Sequence, residues 1–379
     1  MFPLRTLVLF LFLPSFLLAA EAKPNTLSKK EIEEGWILLF DGETTFGWKA
    51  GNSEKDLKPN VTIKEGELIL AEKQTYLTLT SFFSRFELQF DFQNFGSKGA
   101  MANYLSESLD ASKPLFGTAL ASVSEGKWGH YHLKCDSPTV RLSIKSDTAE
   151  SSTDLVDGAA KSSRPLALNF KLGDEKDSKL IVRNIKLKPL GSKPIFNGKD
   201  LSGWKVFPGE KYKSRYVVTK EGWLNVKDGP GDIQTEAKYD DFVLQLECIS
   251  NGKALNSGVF FRCIEGQYQN GYEMQIQNGI KDNDRTKPSD GGTGAIYRRM
   301  AARRVIPNDN EWFGMTLVAQ GKHLTTWVNG IQVTDWIDDR PADDNPRKGA
   351  RIEKGHLSIQ GHDPTTDLNF RNLRIIETK

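Results

Sequence analysis

The run Gly271-Tyr272-Glu273-Met274-Gln275-Ile276-Gln277-Asn278 has the alternation of a strand that is apolar on one side only. Side chains along a strand point to opposite faces in turn, so Met274 and Ile276 share the core face. Glu273, Gln275 and Gln277 then line the other face together. One carboxylate between two amides suits a carbohydrate groove, because amides donate to and accept from hydroxyls while the carboxylate can move a proton. The preceding apolar run adds to this surface. Val259, Phe261 and Cys263 fall on its core face, leaving Gly258, Phe260 and Arg262 outward, with Asn256-Ser257 leading in. One run earlier, Phe242, Leu244, Leu246 and Cys248 are core, and Gln245 and Glu247 point outward. If the three strands are neighbours, Gln245, Glu247, Phe260, Arg262, Glu273, Gln275 and Gln277 form one surface, an aromatic platform with two carboxylates and a guanidinium. The same residues also read as a salt-bridged exposed face, with Arg262 neutralising Glu247 or Glu273.

Two loops carry further candidates. Ser289-Asp290-Gly291-Gly292-Thr293-Gly294-Ala295-Ile296-Tyr297 is glycine-rich and ends in a phenol. It lacks the phosphate-loop pattern of G-x-x-x-x-G-K-[ST] before a helix, so it reads as a loop that packs close to a ligand and presents Tyr297. Arg298, Arg299, Arg303 and Arg304 follow, fitting either an acidic sugar or a solvated face. Gln360-Gly361-His362-Asp363 places one of only five histidines in a loop that could overhang the groove.

These elements belong to a unit written twice. Phe40-Asp41-Gly42 with Gly47-Trp48 recurs as Phe196-Asn197-Gly198 with Gly203-Trp204, at an offset of 156. Arg183-Asn184-Ile185 recurs as Arg371-Asn372-Leu373 at an offset of 188, so the second copy is 32 residues longer. Extra length inside one copy of a shared scaffold points to loops that carry function. Trp48 and Trp204, kept in both copies, read as structural. Trp327-Val328-Asn329-Gly330 reads as a hairpin turn beside a core tryptophan rather than a sugar-stacking one.

Around these motifs the chain alternates short apolar segments with turn signals such as Asn251-Gly252, Glu65-Gly66 and Glu221-Gly222. Helical periodicity is nearly absent. The pattern predicts an all-β chain of two tandem jelly-roll sandwiches, over 35–190 and 191–379, joined at Pro189-Leu190-Gly191-Ser192-Lys193-Pro194. Residues 23–34 form a polar leader with one helical turn. Residues 1–22 have the form of a secretory signal peptide, with Arg5, an apolar run from Leu7 to Leu18 and Ala20-Glu21-Ala22 before the cleavage point. An exported protein, periplasmic or extracellular, is expected. The net charge of +2 argues for neither nucleic acid nor a membrane surface, and no other segment is apolar enough for membrane insertion. Three cysteines at irregular spacing read as free and buried.

The second copy resembles the 3-keto-disaccharide hydrolase domain family, of concanavalin-A-like jelly-roll fold. The resemblance rests on Phe196-Asn197-Gly198-Lys199-Asp200-Leu201-Ser202-Gly203-Trp204, Asn256-Ser257-Gly258-Val259-Phe260-Phe261-Arg262 and Gly271 to Asn278. It continues through Thr293-Gly294-Ala295-Ile296-Tyr297, Glu311-Trp312, Trp327 to Gly330 and Gln360-Gly361-His362. The first copy keeps only framework pieces and has no counterpart of Arg262 or Glu273, so it reads as an accessory or binding module. The resemblance implies cleavage of glycosides oxidised at carbon 3, by elimination and rehydration. On that chemistry Glu273 is the base, Arg262 or His362 steadies the enolate, and Tyr297 or His362 assists departure of the leaving group. Glu247, Asn256, Phe260, Gln275, Gln277 and Gln360 bind the sugar. No cofactor is assigned, and a divalent metal is the alternative to a protein donor, although no ligand spacing marks one. Two other readings stay open on this fold: a carbohydrate-binding lectin without turnover, and an ordinary two-carboxylate glycosidase.

Overall fold

The computed structural model describes residues 23–54, 56–105, 114–120, 123–136, 139–146, 150–155 and 166–378. The signal-peptide segment lies outside the described residues. Alternating apolar residues build two β-sandwiches with the same strand order. In the second, the larger sheet runs Arg215–Val218, Leu224–Lys227, Asp367–Glu377, Phe242–Ser250, Phe313–Gln320, His323–Val328 and Ile331–Ile337. The smaller runs Trp204–Val206, Gly231–Tyr239, Gly355–Gly361, Ser257–Cys263 and Tyr272–Ile276. Leu244, Leu246 and Cys248 of the first sheet meet Val259, Phe261, Met274, Leu357 and Ile359 of the second, which closes the core. Strands with one apolar face can bury it only in this way. The three cysteines are free and buried, as expected.

Each sandwich repeats the same tryptophan anchor. Trp48 Nε1 donates to Leu39 O (2.5 Å) and Trp204 Nε1 to Ile195 O (2.7 Å), nine residues back in both cases. A buried indole must find an acceptor for its one donor, so the residue is kept in both copies for packing.

The two sandwiches are welded together. Trp327 is fully buried in the core cluster of the first sandwich, with Val243, Val318 and Ile376 beside it, and its Nε1 donates to Leu38 O (3.0 Å). Arg303 reaches Asp41 (2.5 Å) and Arg304 reaches Glu43 (2.7 Å), while Thr80 donates to Asp335 (2.9 Å). This pair of arginines therefore neither meets a sugar nor stands solvated: it closes the seam. The leader is also part of the seam. Its helix, Lys29–Glu34, is capped by Ser28 and Glu31 in a reciprocal box. Asn25 exchanges hydrogen bonds with Asn184 (2.7 and 2.8 Å) and donates to Gly66 O (2.7 Å), which ties it to the first sandwich. Gly35 O accepts from Gln245 (2.9 Å) and Glu33 O from Arg374 (3.3 Å), which ties it to the second.

Candidate active site

The strands Gly355–Gly361, Ser257–Cys263 and Tyr272–Ile276 lie side by side, in register Ser358–Phe260–Glu273. Their outward residues form the floor of a cleft of about 390 Å³ lined by Asn256, Phe260, Glu273, Gln275, Gln360, His362 and Tyr297, together with Gln269, Arg298, Arg299 and Arg347. The walls come from one long insertion and one longer loop. Residues 277–312 stand where the first copy has only 120–128, and they deliver Tyr297, Arg298 and Arg299. Residues 338–354 deliver Arg347. The insertion is sewn to the edge of the sheet: Tyr297 N–H donates to Glu273 O (2.9 Å), Gln275 N–H to Ala295 O (3.0 Å) and Gly294 N–H to Gln275 O (2.8 Å).

Glu273 is the centre of the cleft. Its carboxylate accepts no hydrogen bond from the described residues, and burial pushes its pKa from 4.5 up to about 8. The Arg347 charge opposes that rise and the nearby Asp290 charge adds to it. Desolvation disfavours the charged form and leaves a stronger base than an exposed carboxylate. Gly258, directly across the ladder from Gln275, makes the room, since a Cβ there would collide with the Glu273 carboxylate.

Amides surround this carboxyl. Gln275 is buried and donates to Asp290 Oδ2 (3.1 Å) and Asn256 Oδ1 (3.3 Å), and Asn256 donates to Asp290 Oδ2 (3.1 Å). Gln360 donates to Gln269 Oε1 (3.2 Å). The Oε1 atoms of Gln275 and Gln360 are buried without a protein partner. An unmade hydrogen bond in the interior is costly, and two of them lie beside this one cleft. His362 Nδ1 pairs with Asp363 Oδ2 (2.7 Å), which orients the ring. Among the described residues no three His, Cys, Asp or Glu side chains converge as a metal-binding group.

The family described as the 3-keto-alpha-glucoside-1,2-lyase-like domain matches residues 35–188 and again 191–376. The chain belongs to this family. It contains two tandem copies of the domain. No curated protein matches the chain. Among solved structures it is similar to a putative glycosyl hydrolase from Parabacteroides distasonis ATCC 8503, with 23% identity over 49% of this chain and 94% of that one, TM-score 0.40. It is also similar to the carbohydrate-binding module CBM66 from Bacillus subtilis, with 15% identity over 46% of this chain and 95% of that one, TM-score 0.34. A prokaryotic β-1,3-1,4-glucanase from a mouse hindgut metagenome shares 13% identity over 50% of this chain and 99% of that one, TM-score 0.33.

Four residues expected in the groove lie elsewhere. Gln245 and Glu247 sit on the larger sheet, because the chain crosses between sheets after Ser250 instead of turning back in a hairpin. Glu247 is buried under Arg371 (2.9 Å) and Asn372. The first copy repeats this knot, with Asn184 donating to Asp91 (2.6 Å), so it is framework. Arg262 is 1% exposed and leaves the strand's alternation at a β-bulge, where its φ of +52° turns the side chain away from the cleft. Its guanidinium donates to Gly321 O (2.6 Å), Asp240 O (2.9 Å), Arg351 O (2.9 Å) and Asp241 Oδ1 (3.0 Å). Gln277 lies past the strand end and serves its own loop, bonding Ala254 O (3.3 Å) and Gly279 N–H (2.5 Å).

Gln269 and Arg347 line the cleft without having been expected there, whereas Arg298 and Arg299, left open between an acidic sugar and a solvated face, now line it too. Gln269 stands in an amide-rich run, Gln267-Tyr268-Gln269-Asn270, which the sequence did advertise; Arg347 has no local signal at all. Asp232 is a second buried carboxyl of this face, held by Ser358 (2.7 Å) and Gln234 (3.0 Å), with its pKa raised by burial. The first copy has the same ladder in other residues. Its register Asn169–Asn103–Gly117 corresponds to Ser358–Phe260–Glu273, so Gly117 stands where the second copy has its carboxylate.

Proposed function

We propose that the second sandwich cleaves glycosides carrying a ketone at carbon 3, with Glu273 as the base, and that the protein does so after export. The observation that carries this reading is the largely buried, unbonded Glu273 carboxyl with its pKa raised to about 8, set among amides on the floor of the cleft. A general base works best when its pKa lies near the working pH. The 3-keto group acidifies the proton on carbon 2. Glu273 takes that proton, and the electron pair moves onto the carbon 3 oxygen as an enolate. When the pair returns, the bond from carbon 1 to the glycosidic oxygen breaks, leaving a double bond between carbons 1 and 2. Water then adds at carbon 1 and the proton returns to carbon 2, which gives net hydrolysis.

Arg262 is unavailable for the enolate, and Arg347 takes that role here. It lines the cleft, its charge acts on Glu273, and a bond from its Nη2 to Gln269 O (2.6 Å) fixes its position. A preorganised cation placed where charge develops favours the transition state over the ground state. Tyr297 and His362 are the donors for the departing oxygen. Asp363 holds the ring of His362 through Nδ1, which leaves Nε2 as the nitrogen that can exchange a proton with the substrate. Gln275, Gln360, Asn256 and Gln269 hold hydroxyls, and Phe260 gives the ring an apolar floor. Against the two-carboxylate glycosidase, the cleft lining contains one carboxylate, Glu273, and Glu247 is on the far sheet.

The test is aglycone release from purified protein given 3-keto glucosides and their unoxidised parents. Release from the keto forms alone supports the reading. Release from the parents points to ordinary glycoside hydrolysis, and binding without release from either points to a lectin.

A further inference from the structure

Four arginines cluster in sequence just after Tyr297, and the structure divides them into two pairs with opposite fates. Arg303 and Arg304 are consumed by Asp41 and Glu43 at the seam. Arg298 and Arg299 face the cleft, and neither meets a carboxylate among the described residues. Arg299 donates to a backbone carbonyl, Arg347 O (2.7 Å), which aims its guanidinium without neutralising it. Arg298 is exposed and lies over the Tyr297 ring (5.2 Å), with no bond to any acid.

The backbone here is built to present this pair. Arg298 has a φ of +57°, a left-handed conformation that non-glycine residues seldom adopt. It is held by the bonds of Arg299 N–H and Met300 N–H to Ile296 O (2.9 Å each). The nearby acids are bonded elsewhere. The Asp290 carboxylate is taken by Gln275 and Asn256, and Asp338 is held by Arg340 (2.7 Å) and Tyr272 (2.6 Å). Burial, followed by the like charge of Arg340, pulls the Arg299 pKa down, and the Asp338 charge offsets only part of this.

We infer that the cleft takes an anionic glycoside, one bearing a carboxylate, sulfate or phosphate group, and that Arg298 and Arg299 hold this group on the side of the cleft opposite Gln360. The placement follows from strand order: Gln360 is on the inner strand of the floor, whereas the arginine loop is sewn to the outer edge of Tyr272–Ile276. Planar guanidinium forks suit carboxylate, sulfate and phosphate oxygens, which accept two parallel N–H bonds. The inference rests on the reading of this cleft as the substrate site. It adds that charge, and not the 3-keto group alone, selects the substrate.

The experiment is calorimetric binding to full-length Glu273→Gln protein, which removes turnover from the measurement. The probes are phenyl glucoside, 4-carboxyphenyl glucoside, with the charge on the aglycone, and phenyl glucuronide, with the charge on the sugar, each with and without the 3-keto group. At least one charged probe should bind about tenfold tighter than phenyl glucoside near 50 mM salt, and the margin should shrink toward 500 mM as the charges are screened. Adding Arg298→Gln and Arg299→Gln should abolish that margin. Arg298→Gln alone, which breaks no hydrogen bond, should reduce it without altering the melting curve. Equal affinity for charged and neutral probes, no binding of either charged probe, or a preference that survives the double change overturns the inference. Failure of the elimination chemistry would leave the charge preference of the unoxidised probes intact. Failure of the charge inference would leave aglycone release from neutral 3-keto glucosides intact.

Discussion

Replacing Glu273 by Gln keeps the shape of the side chain and removes the proton-binding group, so it tests both the base and its environment. The folded carboxyl has a pKa of about 8 against 4.5 when solvated. A group with a raised folded pKa binds more protons in the native state, so its contribution to stability is lost as pH rises from about 4.5 through 8. At about 1.4 kcal/mol per pH unit, that shift amounts to a ceiling of about 5 kcal/mol, and solvent on the open side of the cleft brings the expected effect to about 2–3 kcal/mol. Glu273→Gln should therefore match the wild type at pH 4 and exceed it by about 2–3 kcal/mol at pH 9. Urea midpoints followed by tryptophan fluorescence across that range would measure it. Wild-type kcat/KM should rise about tenfold per pH unit below 8 and level off above it, and the variant should not turn over. Two stability curves that run parallel at every pH would mean that Glu273 is not desolvated, and the argument for it as the base would fail.

Gly258→Ala should lower kcat/KM by about tenfold or more, since its methyl displaces the Glu273 carboxylate, while overpacking costs about 1–3 kcal/mol in urea. Arg262→Lys should cost about 3–5 kcal/mol, because it strips bonds from Asp241 and three carbonyls, and should leave the pH–rate midpoint of the folded protein where it was. That midpoint separates a structural arginine from a catalytic one. Asn25→Ala removes the two side-chain hydrogen bonds between leader and first sandwich, to Gly66 O and from Asn184 N–H, so the thermal midpoint should fall by an amount corresponding to about 1–3 kcal/mol.

Within a strand, the sequence was a reliable guide. Period-two alternation puts Phe260, Glu273 and Gln275 on one face, and the turn before Tyr297 presents the loop to it. Between strands it was not. Asn251-Gly252 reads as the turn of a hairpin, yet the chain there crosses from the larger sheet to the smaller, and this alone moves Gln245 and Glu247 to the opposite side of the sandwich. Arg262 fails for a different reason. Alternation assumes an unbroken ladder, and a single left-handed residue at a bulge reverses where the side chain goes. Arg303 and Arg304 could not be told from Arg298 and Arg299 by composition, because the difference lies in Asp41 and Glu43, more than 250 residues away in sequence. Two copies compared position by position did better, since Trp48 with Trp204 shows what is scaffold and Gly117 opposite Glu273 shows what is not.

The bond between Glu33 O and Arg374 Nη2 spans 341 residues. During synthesis the leader leaves the ribosome long before the strand that receives it, Asp367–Glu377. Contacts so distant in sequence form late, because loop closure must be met before they repay it. Until then Gln245 and Arg374 face solvent, and the helix Lys29–Glu34, only six residues long, is too short to persist by itself. The leader thus functions as a clasp that closes only after Asp367–Glu377 has been made, and a ribosome that stops short of Arg374 releases a product without this clasp.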